Sequence, residues 1–175
     1  GFEDVTESVG LLRFAPTQTA VWFVYDSDGW LDLFVGNESV PAGSNLGQTS
    51  NPAQLFHRNG DGTFTNTAPA LGLDLIRYIK GVASSDYNHD GRPDLYVSVL
   101  DGDNLLFRND GPVRQDSPAS AGQGGWKFTN VAKEAGVVEP EHSFGTFFFD
   151  YDNDGWDDLF VVGYGMQNAG DVAAD

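Results

Sequence analysis

The chain contains no cysteine, so neither a disulfide framework nor a thiolate metal site is open to it. Positive charge is scarce: 9 Lys and Arg stand against 26 Asp and Glu, a formal net charge of -17. Such a surface repels phosphate backbones and anionic lipid, which excludes nucleic acid as a partner and direct membrane insertion. No run of about 18 apolar residues is present to cross a bilayer as a helix. The chain opens at Gly1 with neither Met, a basic stretch nor an apolar signal segment, and is expected to be a processed or excised product.

What is abundant points to strands. Thirteen Phe, 22 Gly and 8 Pro within 40% hydrophobic residues suit short strands and tight turns better than helices, whose interiors disfavour Gly and Pro. The acidic excess destabilises a compact fold unless something neutralises it, and divalent cations are the natural counter-charge.

Internal repetition sets the architecture. VYDSDGWLDLFVG (24–36), DYNHDGRPDLYVS (86–98) and DYDNDGWDDLFVV (150–162) align without gaps, and their central aspartates Asp28, Asp90 and Asp154 lie 62 and 64 residues apart. Between them a second signature, QLFHRNGDGTFTNTAPALGL (54–73), returns as NLLFRNDG (104–111) and, after a break, WKFTNVAKEAGV (126–137). The opening GFEDVTESVGL (1–11) matches the tail of that signature and is expected to be an end strand. Residues 12–73 then form repeat one, 74–137 repeat two with an inserted loop at 112–125, and 138–175 an incomplete repeat three, all in one array.

Short β-branched and aromatic runs at Leu31–Val35, Leu95–Val99 and Leu159–Val162 predict strands. Asn59-Gly60-Asp61-Gly62 predicts a hairpin turn. Helix is expected only as single turns at Ala68–Leu73 and Val131–Ala135. Units of about 60 residues with four short strands are the size of a β-propeller blade, and propellers close with about 4 to 8. The expected fold is therefore all-β: tandem four-stranded blades of a partial propeller, fewer than three complete, with calcium loops.

The loops read D-x-[DN]-x-D-G-x-x-D. Calcium takes six to eight oxygens, and alternate side chains of a curling loop converge on one inner face while Gly at position six permits the bend. Loop three offers Asp150, Asp152, Asp154, the Trp156 carbonyl and Asp158; loop two offers Asp86, Asn88, Asp90, the Arg92 carbonyl and Asp94. Loop one offers Asp26, Asp28, the Trp30 carbonyl and Asp32, but position one is Val24, so two strong sites are expected and a third that binds weakly or fills the gap with water. An EF-hand would need Glu at position twelve, where this chain has Val97 or Val161 inside a strand.

These motifs, with Phe144-Gly145 ahead of loop three and LFHRNGDGTFTN (55–66), resemble the FG-GAP or VCBS repeats of integrin-α-like propellers, and most closely the bacterial ASPIC/UnbV group of cartilage acidic protein-like proteins. The resemblance implies a propeller of similar blades, structural calcium and an extracellular or cell-surface location, the periplasm being a further option. Phe144-Gly145 stands nearer its loop than in the integrin pattern, and repeat two has Lys80-Gly81 instead.

No catalytic residue is assigned. Asp157 and Asp158 are strand neighbours and point to opposite faces, and Ser84, Ser85, Asp86 and His89 lack a nucleophile-elbow sequence. His57 and His142 read as polar strand positions rather than metal ligands, and Trp30 and Trp156 as packing against an adjacent blade. Asn37-Glu38-Ser39 is a glycosylation sequon. The function expected is a calcium-binding module that engages protein or carbohydrate. A self-assembling structural subunit and a calcium-dependent enzyme acting on polysaccharide are the two alternatives.

Overall fold

The computed structural model describes residues 1–40, 47–113 and 125–163. The inserted loop of repeat two and the chain beyond 163 fall largely outside these residues. The first sheet comprises β1 (Thr17–Phe23), β2 (Asp32–Asn37), β3 (Gln54–Arg58) and β4 (Phe64–Asn66), followed by α1 (Ala68–Leu71). The second comprises β5 (Ile79–Ser85), β6 (Asp94–Val99), β7 (Leu105–Pro112) and β8 (Trp126–Asn130), followed by α2 (Ala132–Ala135). The third holds β9 (Ser143–Phe149) and β10 (Asp158–Gly163). Neighbours in sequence pair antiparallel throughout, giving the orders β1-β2-β3-β4, β5-β6-β7-β8 and β10-β9. Two complete four-stranded sheets and half of a third thus match the blades expected.

Each sheet repeats the same register. Phe23 pairs with Asp32, Ser85 with Asp94 and Phe149 with Asp158, so every second strand begins on the ninth residue of its loop. Successive side chains along a strand face opposite ways, and this alternation builds two separate inter-sheet layers. Phe23, Phe34 and Leu55 of the first sheet close on Ile79, Leu95, Val97 and Val99 of the second. On the other face of the second sheet, Tyr96 and Leu106 meet Phe148, Leu159 and Val161 of the third. Phe34, Tyr96 and Phe160 occupy equivalent positions; the first two are fully buried, whereas Phe160 is 46% exposed beside exposed Phe147 and Phe149.

The hairpin joining β3 to β4 turns at Asn59–Gly62, but only Gly62 adopts a positive φ, of 86°. Gly72 and Gly136 end the two short helices with φ of 69° and 73°, left-handed values that cost glycine little.

The segment Gly1–Leu11 is not a strand. Its sequence matches the tail of the signature, and it does what that tail does elsewhere: a capped turn. Asp4 Oδ1 accepts from Thr6 N at 3.0 Å, just as Asn66 Oδ1 accepts from Ala68 N at 3.2 Å and Asn130 Oδ1 from Ala132 N at 3.1 Å. Val9 N donates to Val5 O and Leu11 N to Thr6 O, and the segment touches the edge of β4 through a single bond, Phe64 N to Val9 O at 2.8 Å, with no ladder.

The second and third sheets meet most closely at Gly81. A Cβ there would lie 2.4 Å from the Phe144 carbonyl oxygen and 2.6 Å from Ser98 Oγ, and Ser98 Oγ also donates to the Phe144 carbonyl. Gly81→Ala is expected to lower stability by about 1–3 kcal/mol through overpacking. Gly60→Ala, with open space around it, serves as the neutral control; the urea midpoints of the two variants check this.

Candidate metal centre: the three carboxylate loops

Each loop crosses from the first to the second strand of its sheet and folds on its own carboxylates. At position four Ser27, His89 and Asn153 take φ of 60°, 54° and 59°, and at position six Gly29, Gly91 and Gly155 take 87°, 85° and 90°. Two successive left-handed turns curl the backbone, and only the second is free of a Cβ cost.

The side chains then cap the curl from inside. In loop three Asp150 Oδ1 accepts from Asp154 N at 3.1 Å and its Oδ2 from Gly155 N at 2.9 Å, while Asp154 Oδ1 accepts from Trp156 N at 2.8 Å. Loop two repeats this: Asp86 accepts from Asp90 N at 3.0 Å and Gly91 N at 2.8 Å, and Asp90 from Arg92 N at 3.0 Å. In loop one Asp28 accepts from Trp30 N at 2.8 Å and Asp26 from Asp28 N at 3.2 Å. With Val24 at position one, no side-chain oxygen takes the place of Asp86 or Asp150.

The loops differ in what they gather. Asp150, Asp152 and Asp158 bring carboxylate oxygens within 4.8 Å of one another, a donor set of hard oxygens suited to calcium. In loop two Arg92 reaches back to Asp90 Oδ2 at 2.5 Å, and Asn88 supplies an amide oxygen instead of a charge. In loop one Asp26 and Asp28 converge with His57, a residue that local sequence reads as a polar position of β3. Only the pairing of β2 with β3 brings His57 to the loop.

Position nine is buried in the first two loops and half-buried, as Asp158, in the third. Asp32 and Asp94 have no exposed surface. Asp32 Oδ1 accepts from Arg58 N at 2.9 Å and its Oδ2 from Tyr25 N at 3.2 Å. Asp94 Oδ1 accepts from Asn109 N at 2.8 Å, but its Oδ2 is buried with no hydrogen-bond partner. A buried carboxylate oxygen left unpaired is costly. Burial pushes the Asp94 carboxyl up to about 7, and the charges of Asp90 and Asp86 add to the rise. A cation beside Oδ2 would relieve both effects, so the residues of loop two fit one.

The remaining candidates have other partners. Trp156 stacks on His89 of the second sheet at 3.9 Å and 5°, and Ser85 Oγ donates to Asp157 Oδ2 at 2.5 Å. Asp158 turns instead to Tyr151 N at 3.0 Å, so the two adjacent carboxylates serve different neighbours. Ser84 Oγ donates to the Asp94 carbonyl, and His142 Nδ1 lies 3.1 Å from the Leu100 carbonyl. Trp30 lies under the Arg58 guanidinium of its own sheet, at 4.6 Å, rather than against another blade. The sequon asparagine, Asn37, is 1% exposed and donates from Nδ2 to the Pro52 carbonyl, so the folded chain does not offer it as a glycan acceptor.

The FG-GAP-like repeat model matches residues 25–97 and again residues 86–161, each span running from one loop to the strand beyond the next. The two spans cover well over half of the sequence. The chain belongs to the FG-GAP-like repeat family. Among curated proteins, the chain is similar to cartilage acidic protein 1 of Mus musculus, Xenopus tropicalis and Homo sapiens, at 34% identity over 77 residues in each case. That alignment takes in 43% of this chain and 10% of each relative, so the chain spans about a tenth of their length.

The raised Asp94 pKa fixes a pH dependence for the metal-free protein. Its folded value of about 7 lies well above that of an ordinary carboxyl, so the folded state holds the proton more tightly, and stability falls as pH rises from about 4 through about 7. Thermal melts in EDTA across that window are expected to show the decline. Asp94→Asn, which keeps the shape without the charge, should flatten it.

Proposed function

We propose that this chain is a calcium-stabilised extracellular repeat module that works by binding a protein partner. The observation that carries the reading is the buried, unpartnered Oδ2 of Asp94, set in a loop whose other donors are Asp86, Asn88 and Asp90. Asp150, Asp152, Asp154 and Asp158, with the Trp156 carbonyl, form the second site, and the Arg92 carbonyl completes the first. Calcium held there supplies positive charge beside Asp94 Oδ2 and among the Asp150, Asp152 and Asp158 carboxylates, and fixes the turn between two strands. Family membership supports an interaction module, and similarity to proteins named cartilage acidic protein supports an extracellular setting.

The partner follows from what the faces offer. Phe147, Phe149 and Phe160 form a stacked, exposed aromatic cluster on the third sheet, with Phe147 and Phe160 centroids 4.9 Å apart. It is the face that the first two sheets bury against the next sheet, which suits an apolar protein surface better than a hydroxyl-rich glycan. The same observation favours self-association as a second reading, a second copy presenting the free face of its first sheet, where Trp22 is 51% exposed.

The test is thermal unfolding in EDTA, then across a calcium series, with magnesium as control. At about 100 times its dissociation constant one ion adds roughly 2.7 kcal/mol, several degrees for a domain of this size. Calcium is expected to raise the midpoint where magnesium does not; equal melts in all three would overturn the reading. Light scattering on the same samples separates a monomer awaiting a partner from self-association.

A further inference from the structure

The first loop contains, in the fold itself, what the other two leave to an ion. Val24 removes its position-one oxygen, yet Asp32, the counterpart of Asp94, has no orphaned atom. Asp32 Oδ2 accepts from Tyr25 N and its Oδ1 from Arg58 N, and a further donor reaches Oδ1 from His57. The His57 Nδ1 lies 3.1 Å from Asp32 Oδ1 and 3.3 Å from Asp26 Oδ2, so one ring nitrogen bridges two carboxylates of the loop. A carboxylate offers only acceptors, so that nitrogen carries the proton and has no lone pair for a metal. The Tyr25 ring braces the imidazole edge-on, with centroids 5.9 Å apart.

The second sheet shows the alternative. Leu33 pairs with Phe56 and Leu95 with Phe107, which makes Arg108 the counterpart of His57. Arg108 turns outward to Asp110 at 2.7 Å and makes no hydrogen bond to Asp94. The loop with a position-one carboxylate thus has no side-chain donor from the third strand, and the loop without one has the donor.

We propose that His57 is a built-in replacement for the ion at the first loop, so that the chain holds two calcium ions rather than three and its first sheet keeps its shape without metal. The count of two rests on the calcium reading of loops two and three; the role of His57 does not.

Calorimetric titration of the intact chain with calcium, and with zinc as a nitrogen-seeking probe, tests this alongside the ¹⁵N signals of the His57 ring. Wild type is expected to take up two calcium ions, with Nδ1 protonated and unmoved by either metal. Val24→Asp alone should still bind two, whereas Val24→Asp with His57→Ala should bind three. A third calcium in wild type that Asp26→Asn removes, a third in Val24→Asp alone, or zinc displacing the Nδ1 proton would each overturn the proposal. If loops two and three bind no calcium, the preceding function falls by itself. The His57 assignment is then decided by the ring-nitrogen signature and by the metal-free melt of His57→Ala, where an unchanged midpoint would overturn it.

Discussion

Burial of one carboxylate at the start of each second strand is the constraint on which the first two sheets are organised. Asp32 and Asp94 sit where loop, second strand and third strand converge, and each accepts a backbone N–H from the third strand, Arg58 N or Asn109 N. This ties a curled, charged loop to the ladder beside it. It also commits a negative charge to a site without water, so each loop needs positive or donor character close by. The remaining acidic residues make that need greater, because they converge on the same point. The three loops share one backbone curl and the same contact from the position-seven N–H to the position-five carboxylate, and differ in how the charge is met.

Charge and apolar surface are segregated along each unit. Carboxylates collect in the loop at one end of the first hairpin, while Phe, Leu and Val alternate along the strands and face neighbouring sheets. Contacts between sheets then run through both systems. Asn109 Nδ2 donates to the Tyr25 carbonyl at 2.7 Å, and the His89–Trp156 stack joins loop two to loop three. A loop that loses its shape therefore disturbs its neighbour as well as its own hairpin, which links loop geometry to the stacking of sheets.

Much of this was legible in the sequence because it is periodic. The three loops declared their spacing, the two helical turns fell at Ala68–Leu71 and Ala132–Ala135, and the short β-branched and aromatic runs placed β2, β6 and β10 within two residues of where they lie. Gly1–Leu11 shows the limit of such matching. Its likeness to the signature tail was real, but that tail is mostly turn, and the few strand-like residues at its head have no partner to pair with among the described residues. His57 was illegible for another reason. Nothing within the run QLFHR (54–58) signals a partner 25 residues earlier; only the register of β3 on β2 creates the contact.

Val24 shows why a gap in a motif is best weighed with the residue across the sheet. Taken alone, an apolar residue in place of a ligand describes a damaged site. With His57 it describes a loop whose carboxylates are already matched, since an imidazole N–H between two oxygens meets the need an ion would otherwise meet, and does so at any calcium concentration. Among the described residues loops two and three have no N–H set between two carboxylates, although Arg92 meets Asp90 in loop two. The fold thus combines a first sheet whose loop is closed by covalently attached groups with two loops open to an external charge. Because Tyr25 both braces His57 and accepts through its carbonyl from Asn109, the closed loop also gives the second sheet a fixed surface to stack on before any ion arrives.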